Sequence, residues 1–194
     1  MSSAVKEIII VRSLADSDLG IFSAHRLSAT SKQRAIALTT PVAKQLLSRR
    51  LYNAKGTYMD VICVYGSFGN RERRHVGKTT KNWRLGGRKI TASACGFLDS
   101  KDFVLLRTVR SNDGDLPILM TFVGRQHERL LHAGIGASLV GQFKDSVAVV
   151  EQGTEVFEAL SVAFPPVPAG LAVGLRTFSD DEAAEELLAG SDGR

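Results

Sequence analysis

Tyr58–Tyr65 reads YMDVICVY, and one glycine later the chain enters Ser67–Ile90, SFGNRERRHVGKTTKNWRLGGRKI. The first stretch has the β-branched and aromatic content of a strand, with Met59, Val61, Cys63 and Tyr65 on one face and Ile62 and Val64 on the other. The second is dense in charge. Arg71, Arg73, Arg74, Lys78, Lys81, Arg84, Arg88 and Lys89 stand against the single acid Glu72, a net of +7 in 19 residues. The whole chain is only +5, so everything else sums to about −2. A strand thus feeds a concentrated cationic segment that Gly86-Gly87 brings to a turn. Two readings stand: an arm that contacts a polyanion, and a solvated ribbon charged only for solubility.

Upstream, Lys6–Leu14 is β-rich, and Asp16, Ser17, Asp18 and Gly20 turn the chain into Ile21–His25. Arg26–Arg34 (RLSATSKQR) carries three cations, no acid and several hydroxyls before Ala35–Leu38 resumes an apolar strand. This pattern predicts two strands joined by a second basic connection. Thr39-Thr40-Pro41 then starts a helix, with Thr40 as cap and Pro41 in the first turn. Val42, Leu46, Leu47 and Leu51 recur at helical spacing, with Lys44, Arg49 and Arg50 on the other face.

Downstream, Ile90–Phe97 alternates like a strand of small residues and Asp99–Asp102 reads as a turn. Phe103–Val109 and Leu116–Val123 read as strands joined by a hairpin through Asn112-Asp113-Gly114. Arg125–His132 is helix-like, Gly134–Phe143 is punctuated by glycine, and Ser146–Val150 and Glu155–Phe164 read as short strands. Pro165, Pro166 and Pro168 mark a boundary before an apolar segment, Ala169–Phe178. Beyond Ser179, Asp180, Asp181, Glu182, Glu185, Glu186 and Asp192 against Arg194 give about −5, the composition of an acidic linker or terminal helix.

At 194 residues with 44% hydrophobic side chains, the chain suits one domain with a short appendage. Strands do not alternate with helices, so the pattern predicts a mainly β, α+β fold: a small closed or half-closed barrel with helices at its ends. No apolar run approaches the roughly 20 residues that span a bilayer. Cys63 and Cys95 lie in apolar or small-residue surroundings, which favours buried thiols in a reducing compartment.

Catalytic patterns are absent. A restriction-type nuclease core needs an acid and then an acid-x-Lys pair on strands to hold metal and activate water, and no strand-like segment carries one. Gly77-Lys78-Thr79 matches the end of a phosphate-binding loop, but the earlier glycine and the strand–loop–helix setting are missing. Gly134–Gly141 has the wrong spacing for a dinucleotide fingerprint, and the four histidines and two cysteines form no metal-ligand pattern. The Asp99, Lys101 and Asp102 group reads as a device that shapes its own turn.

Binding fits better. Neutralising six to ten phosphates takes about that many cations on one surface, and the two basic segments together hold 11. Arg, Asn, Gln and hydroxyl side chains are also the types that read base edges. Trp83 either anchors the ribbon in the core or stacks on a base, and the anchor reading is preferred.

Three stretches carry a family pattern. His25-Arg26-Leu27-Ser28-Ala29 leads through a polar loop into the strand and capped helix of Ala35–Leu51. Asn82-Trp83-Arg84-Leu85-Gly86 with Arg88-Lys89-Ile90 forms an aromatic–Arg–Leu–Gly turn. Ser100–Val109 runs from a lysine–aspartate turn into a hydrophobic strand ending in Arg-Thr-Val. In this order the chain resembles, from Leu19 to Val123, the B3-like DNA-binding domain of type II restriction endonucleases, of the EcoRII N-terminal and BfiI C-terminal type.

The resemblance implies a seven-stranded open pseudobarrel that grips the DNA major groove between two arms. The implied N-arm is His25, Arg26, Ser28, Thr30, Lys32, Gln33 and Arg34. The implied C-arm is Ser67, Asn70, Arg71, Arg73, Arg74, His75, Lys78, Lys81, Asn82, Trp83 and Arg84. This C-arm is differently composed from those of the family, so no target sequence carries over, and the pattern does not extend beyond Arg125.

The expectation is therefore a cytoplasmic, sequence-specific double-stranded DNA-binding domain over residues 1–178, with 179–194 as acidic linker or C-terminal helix. It is the recognition or effector part of a type II restriction endonuclease, non-catalytic by itself and without a cofactor or membrane partner. A fused nuclease domain, with any Mg²⁺ it uses, would be a separate part of the protein. The alternatives are a general nucleic-acid or RNA-binding barrel and a module that binds an acidic protein.

Overall fold

The computed structural model describes residues 7–25, 33–47, 56–64, 69–80, 82–87, 89–90, 95–108 and 118–164, with the backbone alone through 56–64 and 69–73. The fold is mixed α+β. Eight strands form one sheet: β1 (Ile8–Ser13), β2 (Ile36–Leu38), β3 (Gly56–Val64), β4 (Gly69–Lys78), β5 (Trp83–Leu85), β6 (Phe103–Thr108), β7 (Ile118–Val123) and β8 (Val147–Glu151). Three α-helices are described: α1 (Thr40–Leu46), α2 (Arg129–Ser138) and α3 (Glu155–Ser161). The strand order is β2-β5-β4-β3-β7-β6-β1-β8. Two antiparallel blocks, β2-β5-β4-β3 and β7-β6-β1-β8, meet at one parallel pair, β3 with β7, in the register Ile62 to Leu119. Among the described residues the end strands β2 and β8 each have one partner and do not pair with each other, so they close no barrel.

Burial explains why the N-terminal strand is apolar at four successive positions, Ile8–Val11, rather than at alternate ones. Ile8 and Ile10 enter a core shared with Ile36, Leu38, Val76, Trp83 and Leu85 of the other block. Ile9 and Val11 enter a second core, with Ile135 and Leu139 around α2 and Phe157 and Leu160 of α3. β6 divides the same way, Val104 and Leu106 against Phe103 and Leu105. Both faces of the β7-β6-β1-β8 block are thus buried, one by helices and one by the facing block. The cap end of the inner core holds α1, through Val42, Ala43 and Leu46, and Phe22, whose ring meets Phe122 edge-on at 5.1 Å between centroids.

Several elements differ from the sequence reading. Ile21–His25 is not a strand: two 3₁₀ turns, Leu19–Ile21 and Ser23–His25, flank Phe22, which makes a single parallel bridge to Ile90. Ile90 pairs there alone, and Cys95–Phe97 is a turn. Thr39 rather than Thr40 is the first cap of α1, with extended backbone, and the helix ends at Leu46. Glu155–Phe164 is helical at its start: Thr154 accepts a bond from the Phe157 amide at 3.2 Å, and Glu155 and Glu158 fall in the positive first turn. α2 continues through Gly134 and Gly136 because Ile135 and Leu139 are held in the outer core. The hairpin expected at residues 110–115 lies outside the described residues, although β6 and β7 are antiparallel neighbours. So do the domain boundary and acidic segment, within 165–194.

Candidate nucleic-acid interface

The second basic segment is a strand for most of its length. β4 pairs with β3 from Gly69 opposite Val64 to Gly77 opposite Gly56, and its far end turns back into β5. The turn is locked by Thr79, whose amide and hydroxyl both donate to the Asn82 carbonyl, at 2.8 and 2.7 Å. The Asn82 amide returns a bond to the Thr79 hydroxyl at 3.2 Å. This satisfies the turn internally and leaves the side chain of Asn82 exposed.

Alternation then sorts the side chains. Val76, Trp83 and Leu85 point into the inner core with 0% exposure, so His75 and Arg84 lie on the outward face, and both are exposed. Lys78, at the strand's end, is exposed as well. Asn70, Arg71 and Arg73 are placed by backbone opposite Cys63, Ile62 and Asp60. Arg71 and Arg73 share the strand parity of His75.

Two members of the predicted C-arm are corrected. Arg74 has the parity of Val76 and is fully buried, its Nη1 donating to the Gly86 carbonyl at 3.5 Å. A guanidinium in that position is not presented to a phosphate. Trp83 is fully buried in the inner core, which is the anchor reading and removes it from any stacking surface. Ser67 and Lys81 lie outside the described residues.

The predicted N-arm is described only at its ends. Arg26, Ser28, Thr30 and Lys32 lie outside the described residues. His25 is half-buried, its ring edge-on to Phe22. Gln33 is half-buried and turned inward, where its amide nitrogen donates to the Ala35 carbonyl at 2.9 Å and lies 3.4 Å from Asp18 Oδ1. That placement corrects its expected role in base readout. Arg34 is exposed.

The ends of the two basic segments meet. Ser23, just before the first segment, donates its amide to the Ile90 carbonyl at 2.9 Å, and the Ile90 amide donates to Ile21 at 2.9 Å. At the other end β2 pairs with β5, Ala37 opposite Arg84, and a side chain on Gly86 would touch Ala35 Cβ at 3.4 Å. Of the cations that composition placed in two separate stretches, the exposed Arg34, Lys78 and Arg84 thus lie on or directly beside one ribbon, β2-β5-β4. Lys89, beside Ile90, is exposed as well and was not singled out as a contact.

A residue the sequence reading passed over positions this ribbon. Asp18, read as a turn former, is fully buried. Its Oδ2 accepts Arg12 Nε and Nη2 at 2.9 and 2.7 Å and the Ala15 amide at 3.0 Å. Its Oδ1 accepts the β2 amide of Ala37 at 3.1 Å. One carboxylate therefore ties β1 to the strand that carries the basic ribbon's edge. Three polar residues in a turn gave no signal to separate Asp18 from Asp16.

Asp102, whose carbonyl accepts the Leu14 amide at 2.7 Å, plays the turn-shaping part expected of it. Fully buried, it accepts the Asp99 amide at 2.8 Å and Arg125 Nε at 3.1 Å, and faces His132 Nε2 at 3.2 Å. Among the described residues no three His, Cys, Asp or Glu side chains are grouped to hold a metal. Nor is any described helix long and apolar enough to cross a membrane. No family model matches the chain, and no curated protein matches it.

Proposed function

We propose that this chain is a sequence-specific double-stranded DNA-binding domain, non-catalytic by itself, of the B3-like type that serves type II restriction endonucleases for target or effector recognition. The observation that carries the reading is the gathering of exposed Arg34, His75, Lys78, Asn82 and Arg84 on the β2-β5-β4 ribbon. The comparable outer face of the other block is covered by α2 and α3. Two blocks around a shared inner core, with end strands that do not pair with each other, agree with an open pseudobarrel. In this reading Arg34, Lys78 and Arg84, with Arg26, Lys32, Arg71, Arg73 and Lys81, supply phosphate or guanine contacts. Asn82, Asn70 and His75 supply polar readout, and Arg74, Trp83 and Gln33 hold the ribbon in place. DNA cleavage and its Mg²⁺ belong to a separate nuclease domain.

Selection from a random duplex library, followed by a salt titration, tests the proposal. An enriched sequence is expected, with affinity falling about 10³- to 10⁵-fold between 50 and 200 mM salt if six to ten phosphates are neutralised. A second reading, a general nucleic-acid or RNA-binding barrel, draws on the placement of His75 and Arg84 on a sheet face rather than in loops. Equal competition by tRNA and by the selected duplex would favour it and overturn the first. Acidic-protein binding would be favoured instead if the chain showed no salt-dependent affinity for either nucleic acid.

A further inference from the structure

Gly77 is bare backbone in the middle of the outward face, and its place is taken by its neighbour. A Cβ built at Gly77 would lie 2.7 Å from His75 Cε1 and 3.3 Å from Nδ1. The imidazole thus leans along β4 over the glycine instead of standing away from the sheet. Across the ladders the same row reads Gly56, Gly77, Arg84 and Ala37. Arg84 is the only long side chain in that row of four. The backbone beneath is fixed, since the Gly86 amide donates to the His75 carbonyl at 2.8 Å.

A low floor of glycine and alanine, an exposed imidazole lying over it and an exposed guanidinium one strand away suit a flat ring flanked by phosphate. Glycine within a strand often marks a close approach of this kind. The ring that best fits an imidazole with cations around it is a nucleobase, and base-on-aromatic stacking is worth about 1–3 kcal/mol while tolerating any base. A base inside a duplex has both faces covered by its neighbours, so only an unpaired or extruded one offers a face.

We propose that His75 is a base-stacking residue: seated over Gly77 and beside Arg84, it takes the face of an unpaired nucleobase in the nucleic acid held by this ribbon. The inference rests on reading the ribbon as a nucleic-acid interface. It adds a preference for unpaired nucleotides to that reading.

The experiment uses the full chain and two probes, a short labelled duplex and the same duplex carrying one unpaired 2-aminopurine. Both are measured at low ionic strength, where sequence-independent binding is strong. The bulged probe is expected to bind about tenfold tighter and its 2-aminopurine fluorescence to be quenched. His75→Ala should bring the ratio of the two affinities to about one and abolish the quenching, whereas His75→Phe should keep both. Gly77→Val, which displaces the ring without removing it, should behave as His75→Ala. Equal affinities in the unaltered protein, or quenching that survives His75→Ala, would overturn the role of His75 while leaving the interface standing. Failure of either probe to bind would overturn the interface and the stacking residue together.

Discussion

Arg12 and Asp18 form a buried ion pair, two bonds at 2.9 and 2.7 Å between β1 and the first 3₁₀ turn, with the Asp18 side chain fully enclosed. The same carboxylate holds the amides of Ala15 and Ala37. Breaking one partner of a buried pair leaves the other charge uncompensated, at about 3–5 kcal/mol. Asp18→Ala is therefore expected to lower unfolding free energy by that amount in a urea titration. Because the Ala37 amide loses its acceptor, β2 should also gain amide exchange before β6 does. A loss under about 1 kcal/mol would show that the hub is dispensable.

Arg12 also braces a strained turn. Lys144 and Val147 exchange backbone bonds at 2.8 and 3.0 Å around a two-residue loop, Asp145-Ser146, in which φ is +51° and +65°. Arg12 Nη1 donates to the Asp145 carbonyl at 3.3 Å and the Ser13 amide to that of Ser146 at 2.9 Å. Tight hairpin loops with positive φ at both positions favour Asn-Gly, since a side chain in the left-handed region costs about 1–2 kcal/mol. Asp145→Asn with Ser146→Gly should raise stability by about 1 kcal/mol, read as a higher urea midpoint at unchanged slope. A lowered midpoint would mean that the bracing bonds need the native side chains.

Glycines before and within α2 should respond with opposite signs. A Cβ at Gly124 would run into the edge of the Phe97 ring, at Cε2 and Cδ2, and that ring also packs against His127, tilted, with 3.9 Å between centroids. At Gly134 and Gly136 the added atom would meet nothing within 4 Å. Gly124→Ala is expected to cost about 1–3 kcal/mol through overpacking. Gly134→Ala and Gly136→Ala should each gain about 0.5–1 kcal/mol of helix propensity. Melting temperatures of the three variants check this, and a stabilised Gly124→Ala would contradict the packing of Phe97.

What the sequence disclosed and what it hid follow from where each side chain's partner lies. Strand content at Ile8–Val11, Phe103–Leu106 and Ile118–Val123 was legible because β-branched and aromatic runs need no distant information. Which way those strands pair was not, since a parallel β3–β7 contact joins residues more than fifty positions apart. α3 was misread although its Thr154 cap and early glutamates are local signals; the alternating Leu160, Val162 and Phe164 at its end resemble a strand. In the ribbon, a charge count found the cationic surface but could not separate Arg73 from Arg74. Only the strand parity set by buried Val76 and Trp83 puts Arg74 inside. Asp18 stayed hidden because its acceptor role depends on β1 and β2 arriving together.

That separation gives the sharpest prediction about the ribbon. Arg84 is exposed opposite Gly77, while Arg74 is fully buried against Gly86. If the ribbon binds DNA, Arg84→Ala should leave the unfolding free energy within about 0.5 kcal/mol, as surface changes usually do. It should also reduce the slope of log affinity against log salt by about 1, the signature of one lost phosphate contact. Should Arg84 read guanine instead, the loss is about 1–3 kcal/mol for the cognate sequence alone. Arg74→Ala should do the reverse: removing a fully enclosed long side chain costs about 2–5 kcal/mol of stability by the cavity it leaves, with the salt slope of the folded fraction unchanged. Arg74→Met, which keeps most of the volume, should recover part of that stability. Fluorescence polarisation across a salt series, paired with urea unfolding of each variant, separates the two arginines. A salt slope that fell with Arg74→Ala and held with Arg84→Ala would reverse their assignment and with it the face of β4 that meets the ligand.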